Sequence, residues 1–310
     1  MATGIGCQGR SEVRRIILFL ALWTLSCAAG KPRLEYGSFR SDALREEMRY
    51  GVYLPPGWDR KTPLPLVVFL HGGGDDEQCF DEHGATAELD DAIRAGRLEP
   101  FILVVPDGGR GFWTNWYDGS HRYEDYVVDD VIPRIRSRYP IRPGRESTHL
   151  LGISMGGAGA MYMTLHRPEA FASSSVLSAP LMDVDQTVAF LDGFFWQVFA
   201  RVDRVFGPAS RAHVERNNLY TRIRSPADLG GVRLLIAAGT EDRGGIADTT
   251  SAFHEHLVKH HVPHQYLVFR GGHRWTDWRP ILPVVLCRQL SAGNACALPL
   301  HDGYTLEEVK

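Results

Sequence analysis

Cysteine is scarce in this chain: five residues in 310, with no C-x-x-C pair and no spacing that would hold zinc. An excess of one charge is lacking too. The formal net charge is −3, which offers no broad positive field for nucleic acid. No internal repeat and no low-complexity tract occur, which excludes a repeat array. Neither G-x-x-x-x-G-K-[ST] nor H-E-x-x-H is present, so a phosphate loop and a zinc-protease helix are both excluded. What remains is ordinary globular composition, 44% hydrophobic and 23% charged, long enough for one large α/β domain.

The first residues differ from the rest. Arg10, Arg14 and Arg15 precede the apolar run "IILFLALWTL" (Ile16 to Leu25), and the small residues "SCAAG" follow. A basic start, a short apolar stretch and a small-residue site make an export signal. The run is shorter than the roughly 20 residues of a membrane span. Two kinds of processing fit. Cleavage after Ala28 frees a soluble protein, whereas lipidation of Cys27 in "LSC" attaches it to a membrane. A lipobox carries Leu three residues before its cysteine, and here that residue is Thr24. The expectation is a signal over 1–27, a single domain over 28–310, and an exported location: periplasmic, secreted or lipid-anchored. Export also permits a Cys287–Cys296 disulfide, with Cys79 left unpaired.

From Arg49 onward, strand-like and helix-like segments alternate. "LPLVVFLHGGG", "FILVVPDGG", "STHLLGIS", "SSSVLSAP", "VRLLIAAGTED" and "HQYLVFRGGH" are near-continuous apolar runs that end in turn residues. Strands of this kind are buried on both faces, the mark of a parallel sheet covered by helices. Helical spacing in "YEDYVVDDVIPRIRSRY", "MGGAGAMYMTLHRPEAF" and "TTSAFHEHLVKHH" supplies the cover. The segment from about 183 to 228 is apolar and helix-like, and reads as an insertion after a core strand. In such sheets the reacting groups gather in loops at the carboxyl ends of the strands. Ser154, His71, Asp242 and His273 all fall there.

Ser154 sits between Gly152 and Gly156, where an apolar strand gives way to a helix of small residues. A sharp strand-to-helix turn lifts a serine hydroxyl above the sheet and demands small neighbours two residues away. The helix that follows offers free N–H groups and a positive dipole end to a developing oxyanion. A serine hydroxyl needs a base, and the base needs an orienting acid. Downstream, "AAGTEDRGG" and "FRGGHRWTDW" close two successive strands. His273 is the expected base and Asp242 the expected acid, with Glu241 as the alternative. "HGGG" (His71 to Gly74) lets main-chain N–H groups approach a carbonyl oxygen, so the oxyanion donors are expected at Gly73 and Met155. His71 shapes that turn. Asp75 and Asp76 beside it argue against a bound phosphate. Trp113, Trp116 and Tyr117 lie in an irregular loop after the strand "FILVVPDG" and are expected to wall a substrate pocket. His254, His256, His260, His261 and His264 crowd one helix and its exit, and read as a solvated helix face.

With these residues in place, the chain resembles the esterase D-like branch of the α/β-hydrolases, which includes S-formylglutathione hydrolases, antigen 85 mycolyltransferases and feruloyl or acetyl xylan esterases. The motifs that carry the resemblance are "FLHGGG", "VVPDG", "YEDYVVDDVIPRIRSRY", "LLGISMGGAGAM", "GTED" and "GGHRWTDW", spread over roughly Leu54 to Leu286. The resemblance implies an α/β-hydrolase fold with a mostly parallel central sheet flanked by helices. It also implies a nucleophile at Ser154, an acid at Asp242, a base at His273, and an acyl-enzyme mechanism that needs no metal or cofactor. The tail from Ala297 to Lys310 looks unrelated to the family core.

The functional expectation is therefore an exported serine carboxylesterase acting on short-chain or aromatic esters, free or linked to carbohydrate, with no nucleic-acid partner. Two alternatives remain: acyl transfer to a sugar or lipid alcohol, and a non-catalytic binding module on a hydrolase fold. Neither the natural substrate nor the oligomeric state is legible.

Overall fold

The computed structural model describes residues 34–291, 296 and 298–310. The expected export signal and Cys27 lie outside the described residues. Nine strands make one sheet: β1 (Leu34–Arg40), β2 (Glu47–Tyr53), β3 (Leu66–Leu70), β4 (Ile102–Pro106), β5 (Thr148–Ile153), β6 (Ser173–Leu177), β7 (Arg233–Gly239), β8 (His264–Phe269) and β9 (Thr305–Val309). Their order across the sheet is β1-β2-β4-β3-β5-β6-β7-β8-β9. Strands β3 to β8 run parallel, while β1, β2 and β9 join antiparallel at the two edges.

The apolar runs become central strands because both of their faces can be buried. Along β3, Leu66, Val68 and Leu70 enter one core while Val67 and Phe69 enter the other. Helices cover both sides. We label α1 (Ala85–Arg94), α2 (Ile132–Arg138), α3 (Met155–His166), α4 (Val184–Asp192), α5 (Ile246–Lys259) and α6 (Leu282–Leu290). Residues of α2, α3 and α5 pack in the first core, and residues of α1 and α6 in the second. Each buried Leu, Val or Phe contributes about 1.5–3 kcal/mol relative to exposure, which makes this double-sided sheet the stable frame for the loops above it.

The expected insertion lies between β6 and β7. It opens with α4, where the Asp183 carboxylate accepts the Gln186 N–H at 2.8 Å and the Gln186 side chain accepts the Asp183 N–H at 3.0 Å. Short helices follow at Val202–Phe206 and Arg211–Asn217, gathered on a small cluster of Leu191, Val202 and Val214. The tail is not a bare appendage: Thr305–Val309 pairs with β8 as the ninth strand. Cys287 and Cys296 form a disulfide with Cα atoms 5.4 Å apart, and Cys79 is free and buried. Among the described residues no helix is long and apolar enough to cross a membrane.

Candidate active site

Parallel strands place their following loops at one edge of the sheet. Ser154 follows β5, Ser178 follows β6, Asp242 lies three residues past β7, and His273 lies four past β8. Two main-chain bonds pin Ser154: its N–H donates to Leu177 O at 2.9 Å, and its carbonyl accepts the first helical bond of α3, from Ala158 N–H at 3.0 Å. Between them the backbone stands at φ 57° and ψ −118°, a strained conformation for a residue with a side chain. The flanking glycines are sterically required. A Cβ at Gly152 would collide with the Gly156 carbonyl, and one at Gly156 with the Leu70 carbonyl.

Three of the expected residues form one hydrogen-bonded line. The Ser154 Oγ lies 2.8 Å from His273 Nε2, and His273 Nδ1 lies 2.7 Å from Asp242 Oδ1. A carboxylate at Nδ1 fixes that nitrogen as the donor, so Nε2 faces the serine as an acceptor. The side chain of Asp242 is sealed from solvent. Its other oxygen accepts the Ser178 hydroxyl at 2.6 Å and the Gly239 N–H at 3.1 Å. Burial alone would raise the Asp242 pKa, but the hydrogen bonds from His273, Ser178 and Gly239 prevail and hold it below the usual carboxylate value. Glu241, the alternative acid, is exposed, and its N–H bonds to Gly271 O.

Ser178 and Trp278 escaped the sequence reading. The Ser178 hydroxyl donates to Asp242 and accepts from Trp278 Nε1 at 2.9 Å, while the Trp278 ring stands edge-on to His273 at 4.8 Å. Together they hold the acid and the imidazole in register. The available signal was position: Ser178 ends the run "SSSVLS" at the same strand edge as the other groups.

The glycine loop lies against the serine turn. A Cβ built on Gly72 would be 3.5 Å from Ser154 Cβ, and one on Gly73 would be 4.0 Å from Met155 Cβ. Gly73 and Met155 are therefore neighbours beside Ser154, and Met155 opens α3, where the first N–H groups have no partner within the helix. His71 anchors the loop from below. Its Nε2 accepts the Gly108 N–H at 3.0 Å, and its Nδ1 lies 2.8 Å from Gly72 O. Burial lowers the His71 pKa, in keeping with a neutral ring that accepts at Nε2.

The aromatic loop departs from expectation. Trp113 is fully buried, its Nε1 donates to His71 O at 3.1 Å, and its ring packs edge-on to His71 at 5.0 Å. It supports the glycine loop from within the core and is no substrate wall. Trp116 donates to Gly111 O at 3.0 Å and lies under the Arg204 guanidinium. Tyr117 is exposed, meets His213 edge-on, and borders a cavity of about 160 Å³ against the insertion. Tyr117 thus meets the insertion, whereas Trp116 packs on His121 and Tyr123 of its own loop as well as on Arg204. Beside the glycine loop stands Trp275, whose Nε1 donates to Asp75 at 3.0 Å and whose ring stacks on His83. The histidine-rich helix also departs: His254 and His264 are buried and bonded to each other at 2.8 Å, not solvated.

A family model described as "Putative esterase" matches residues 41–288. An endo-1,4-beta-xylanase/feruloyl esterase of Xylanibacter ruminicola is 28% identical over 46% of this chain and 21% of its own length. An esterase of Mycobacterium tuberculosis is 26% identical over 78% of this chain and 56% of its own length. The chain thus spans at most about half the length of these curated relatives. Among solved structures, a ferulic acid esterase superposes with a TM-score of 0.66 at 22% identity, covering 82% of this chain and 96% of that one. The architecture is that of the α/β-hydrolase fold.

Proposed function

The chain belongs to the Esterase family, and from that premise we propose that it is an exported serine carboxylesterase working through an acyl-enzyme on Ser154, His273 and Asp242. One observation carries the reading: the unbroken line of hydrogen bonds from Ser154 Oγ through the His273 imidazole to a sealed Asp242 carboxylate. In the proposed reaction Ser154 Oγ attacks an ester carbonyl carbon while its proton passes to His273 Nε2. Asp242 holds the ring through Nδ1–H and stabilises the imidazolium that forms. The tetrahedral oxyanion takes hydrogen bonds from the N–H groups of Gly73 and Met155, each worth about 3 kcal/mol. Collapse breaks the bond to the alcohol, which leaves with the proton from Nε2. Water then repeats the sequence, with His273 as its base, and frees the acid and Ser154.

For substrates we propose short-chain or aromatic esters, including those carried on carbohydrate. The relatives named as feruloyl and ferulic acid esterases support this reading. Export rests on the basic and apolar pattern of the first 27 residues.

A fluorophosphonate probe tests the nucleophile: it should label the wild-type protein, and Ser154→Ala should stay folded, resist labelling and lose nearly all ester hydrolysis. Retention of more than about a hundredth of the rate by that variant refutes the assignment. Acetyl, butyryl, long-chain and feruloyl esters tested side by side address the substrate, and a preference for long chains overturns it. Mass measurement of the native N-terminus tests export: an intact Met1 in exported material contradicts both cleavage after Ala28 and lipidation of Cys27.

A further inference from the structure

Gly73, the proposed oxyanion donor, sits in a stretch of chain with little stiffness of its own. It is one of the two exposed central residues of the turn 72–75, which closes through Asp75 N–H on Gly72 O at 3.3 Å. The other is Gly74, held at φ 101°. Glycine loses more conformational freedom on folding than any other residue, and one long main-chain bond does little to offset that loss. A main-chain donor stabilises an oxyanion well only if its direction is fixed before the reaction. His71 fixes the turn on its upstream side through Gly108. The downstream side needs an anchor too.

Asp75 closes the turn and carries the side chain placed to do this. Its Oδ2 accepts the indole N–H of Trp275 at 3.0 Å, and its Oδ1 lies 3.7 Å from His83 Nε2. Only 21% of the side chain is exposed. A Cβ built on Gly72 would be 3.5 Å from Asp75 Oδ2 and 3.5 Å from Ser154 Cβ, so the carboxylate and the nucleophile both border Gly72.

Trp275 is a rigid post for that bond. Its ring stacks on His83 at 4.9 Å and packs against Phe69 of β3, Phe80 and Trp278. It comes two residues after His273 and opens the helical turn Trp275–Trp278, whose last ring stands edge-on to His273. The bond from Trp275 to Asp75 therefore joins the loop of the oxyanion donor to the element that backs the base. The negative charge of Asp75 is not what this bond requires. An indole N–H needs only an acceptor, and a carboxylate close to a developing oxyanion opposes it.

We infer that Asp75 is a positioning residue: through Trp275 it holds the glycine loop so that Gly73 N–H meets the substrate carbonyl oxygen in register with His273. The inference rests on the ester-hydrolysis reading of Ser154 and deepens it. Asp75 acts through the loop, as a hydrogen-bond acceptor, and touches no reacting atom. Loss of an oxyanion donor costs about 10²–10³ in kcat, and misalignment of one costs part of that.

Steady-state hydrolysis of p-nitrophenyl acetate tests it, with fluorophosphonate labelling run to completion to count competent sites. Asp75→Ala should lower kcat per site about tenfold or more, with KM within about twofold. Asp75→Asn keeps an acceptor for Trp275 and should return kcat to within about threefold of wild type. Trp275→Phe keeps a ring, removes the donor, and should be as slow as Asp75→Ala. The double variant should be no slower than either single one, because both remove the same bond. If Asp75→Ala fails to fold, Asp75→Asn and Trp275→Phe carry the same test. Asp75→Ala or Trp275→Phe within about threefold of wild type, a change in KM alone, Asp75→Asn as slow as Trp275→Phe, or losses that multiply in the double variant overturns the inference. Ser154→Ala separates this inference from the reading beneath it. Hydrolysis that survives in Ser154→Ala sinks the ester-hydrolysis reading, whereas an inert Ser154→Ala beside an unimpaired Asp75→Ala sinks the inference alone.

Discussion

Asp242→Asn is the sharpest test of the proposed acid, because the neighbouring atoms dictate how the new amide must sit. In the native site Asp242 Oδ2 accepts both the Ser178 hydroxyl and the Gly239 main-chain N–H, and Oδ1 accepts His273 Nδ1–H. The Gly239 N–H can only donate, so the asparagine oxygen must take the Oδ2 place. Its NH₂ group then faces His273 Nδ1. Two donors cannot share that contact, so the imidazole must move its proton to Nε2, the nitrogen 2.8 Å from Ser154. A protonated Nε2 cannot accept from the serine. A loss of about 10⁴ in kcat is expected, the scale of a wrong-tautomer histidine in serine proteases. At about 1.36 kcal/mol per decade this is roughly 5.5 kcal/mol of transition-state stabilisation. Hydrolysis of p-nitrophenyl acetate at pH 7.5 measures it, with circular dichroism confirming the fold. Exposed Glu241→Gln should remain within about twofold. The same carboxylate carries a pH signature. Because its folded pKa is depressed, its contribution is full above the unfolded value of about 4 and drains away as pH falls through the folded value. The stability gap between wild type and Asp242→Asn should therefore narrow below about pH 4. An Asp242→Asn protein within tenfold of wild type, or a Glu241→Gln protein as damaged as it, refutes the reasoning.

Ser178→Ala removes one hydrogen bond to the buried carboxylate and strands Trp278 Nε1–H; it should cost about 2–3 kcal/mol in denaturant unfolding and lower kcat with KM nearly constant. A KM-dominated effect would assign Ser178 to substrate binding instead. Trp113→Ala empties a fully buried site and should destabilise by about 3–5 kcal/mol, with equal effects on the KM of aryl and acetyl esters. A selective rise for the aryl ester would restore the pocket role. Reduction of the Cys287–Cys296 disulfide, which spans nine residues in sequence, should lower stability by about 2–3 kcal/mol by the chain-entropy account; an unchanged unfolding midpoint contradicts that.

The parts of the site legible in the sequence share one physical property: their residue type is dictated locally. Ser154 needs small residues two positions away because the elbow brings Gly152 and Gly156 against main-chain carbonyls. The order of strands and glycines then places His273 and Asp242 at the same sheet edge before any coordinate is known. Choosing Asp242 over Glu241 required tertiary information in principle, since adjacent carboxylates on one loop differ only in which way the turn aims them. The turn closes with Asp242 N–H on Gly239 O, and this directs Asp242 inward while Glu241 faces solvent. The edge strands β1 and β9 were illegible because their exposure is mixed, and neither carries the continuous apolar run that marked the central strands.

Trp113 shows where composition misleads. Two aromatic rings and a tyrosine within five residues, in an irregular loop near the serine's sheet edge, suggest a binding wall. Yet the glycine loop proposed to meet the substrate carbonyl has no secondary structure of its own, and something must hold it. Trp113 does so, with its indole N–H on the His71 carbonyl and its ring beneath His71. The space for it comes from Gly108, where a Cβ would strike the indole ring, and Gly159, where one would strike the Trp113 Cβ. Gly159 belongs to α3, the helix that begins at the serine turn, and Gly108 gives its N–H to His71. One buried ring therefore ties the serine helix, the glycine loop and the loop after β4 together. Small residues on the helix that follows the serine do two jobs: at Gly156 they let the elbow close, and at Gly159 they admit the ring that steadies the glycine loop.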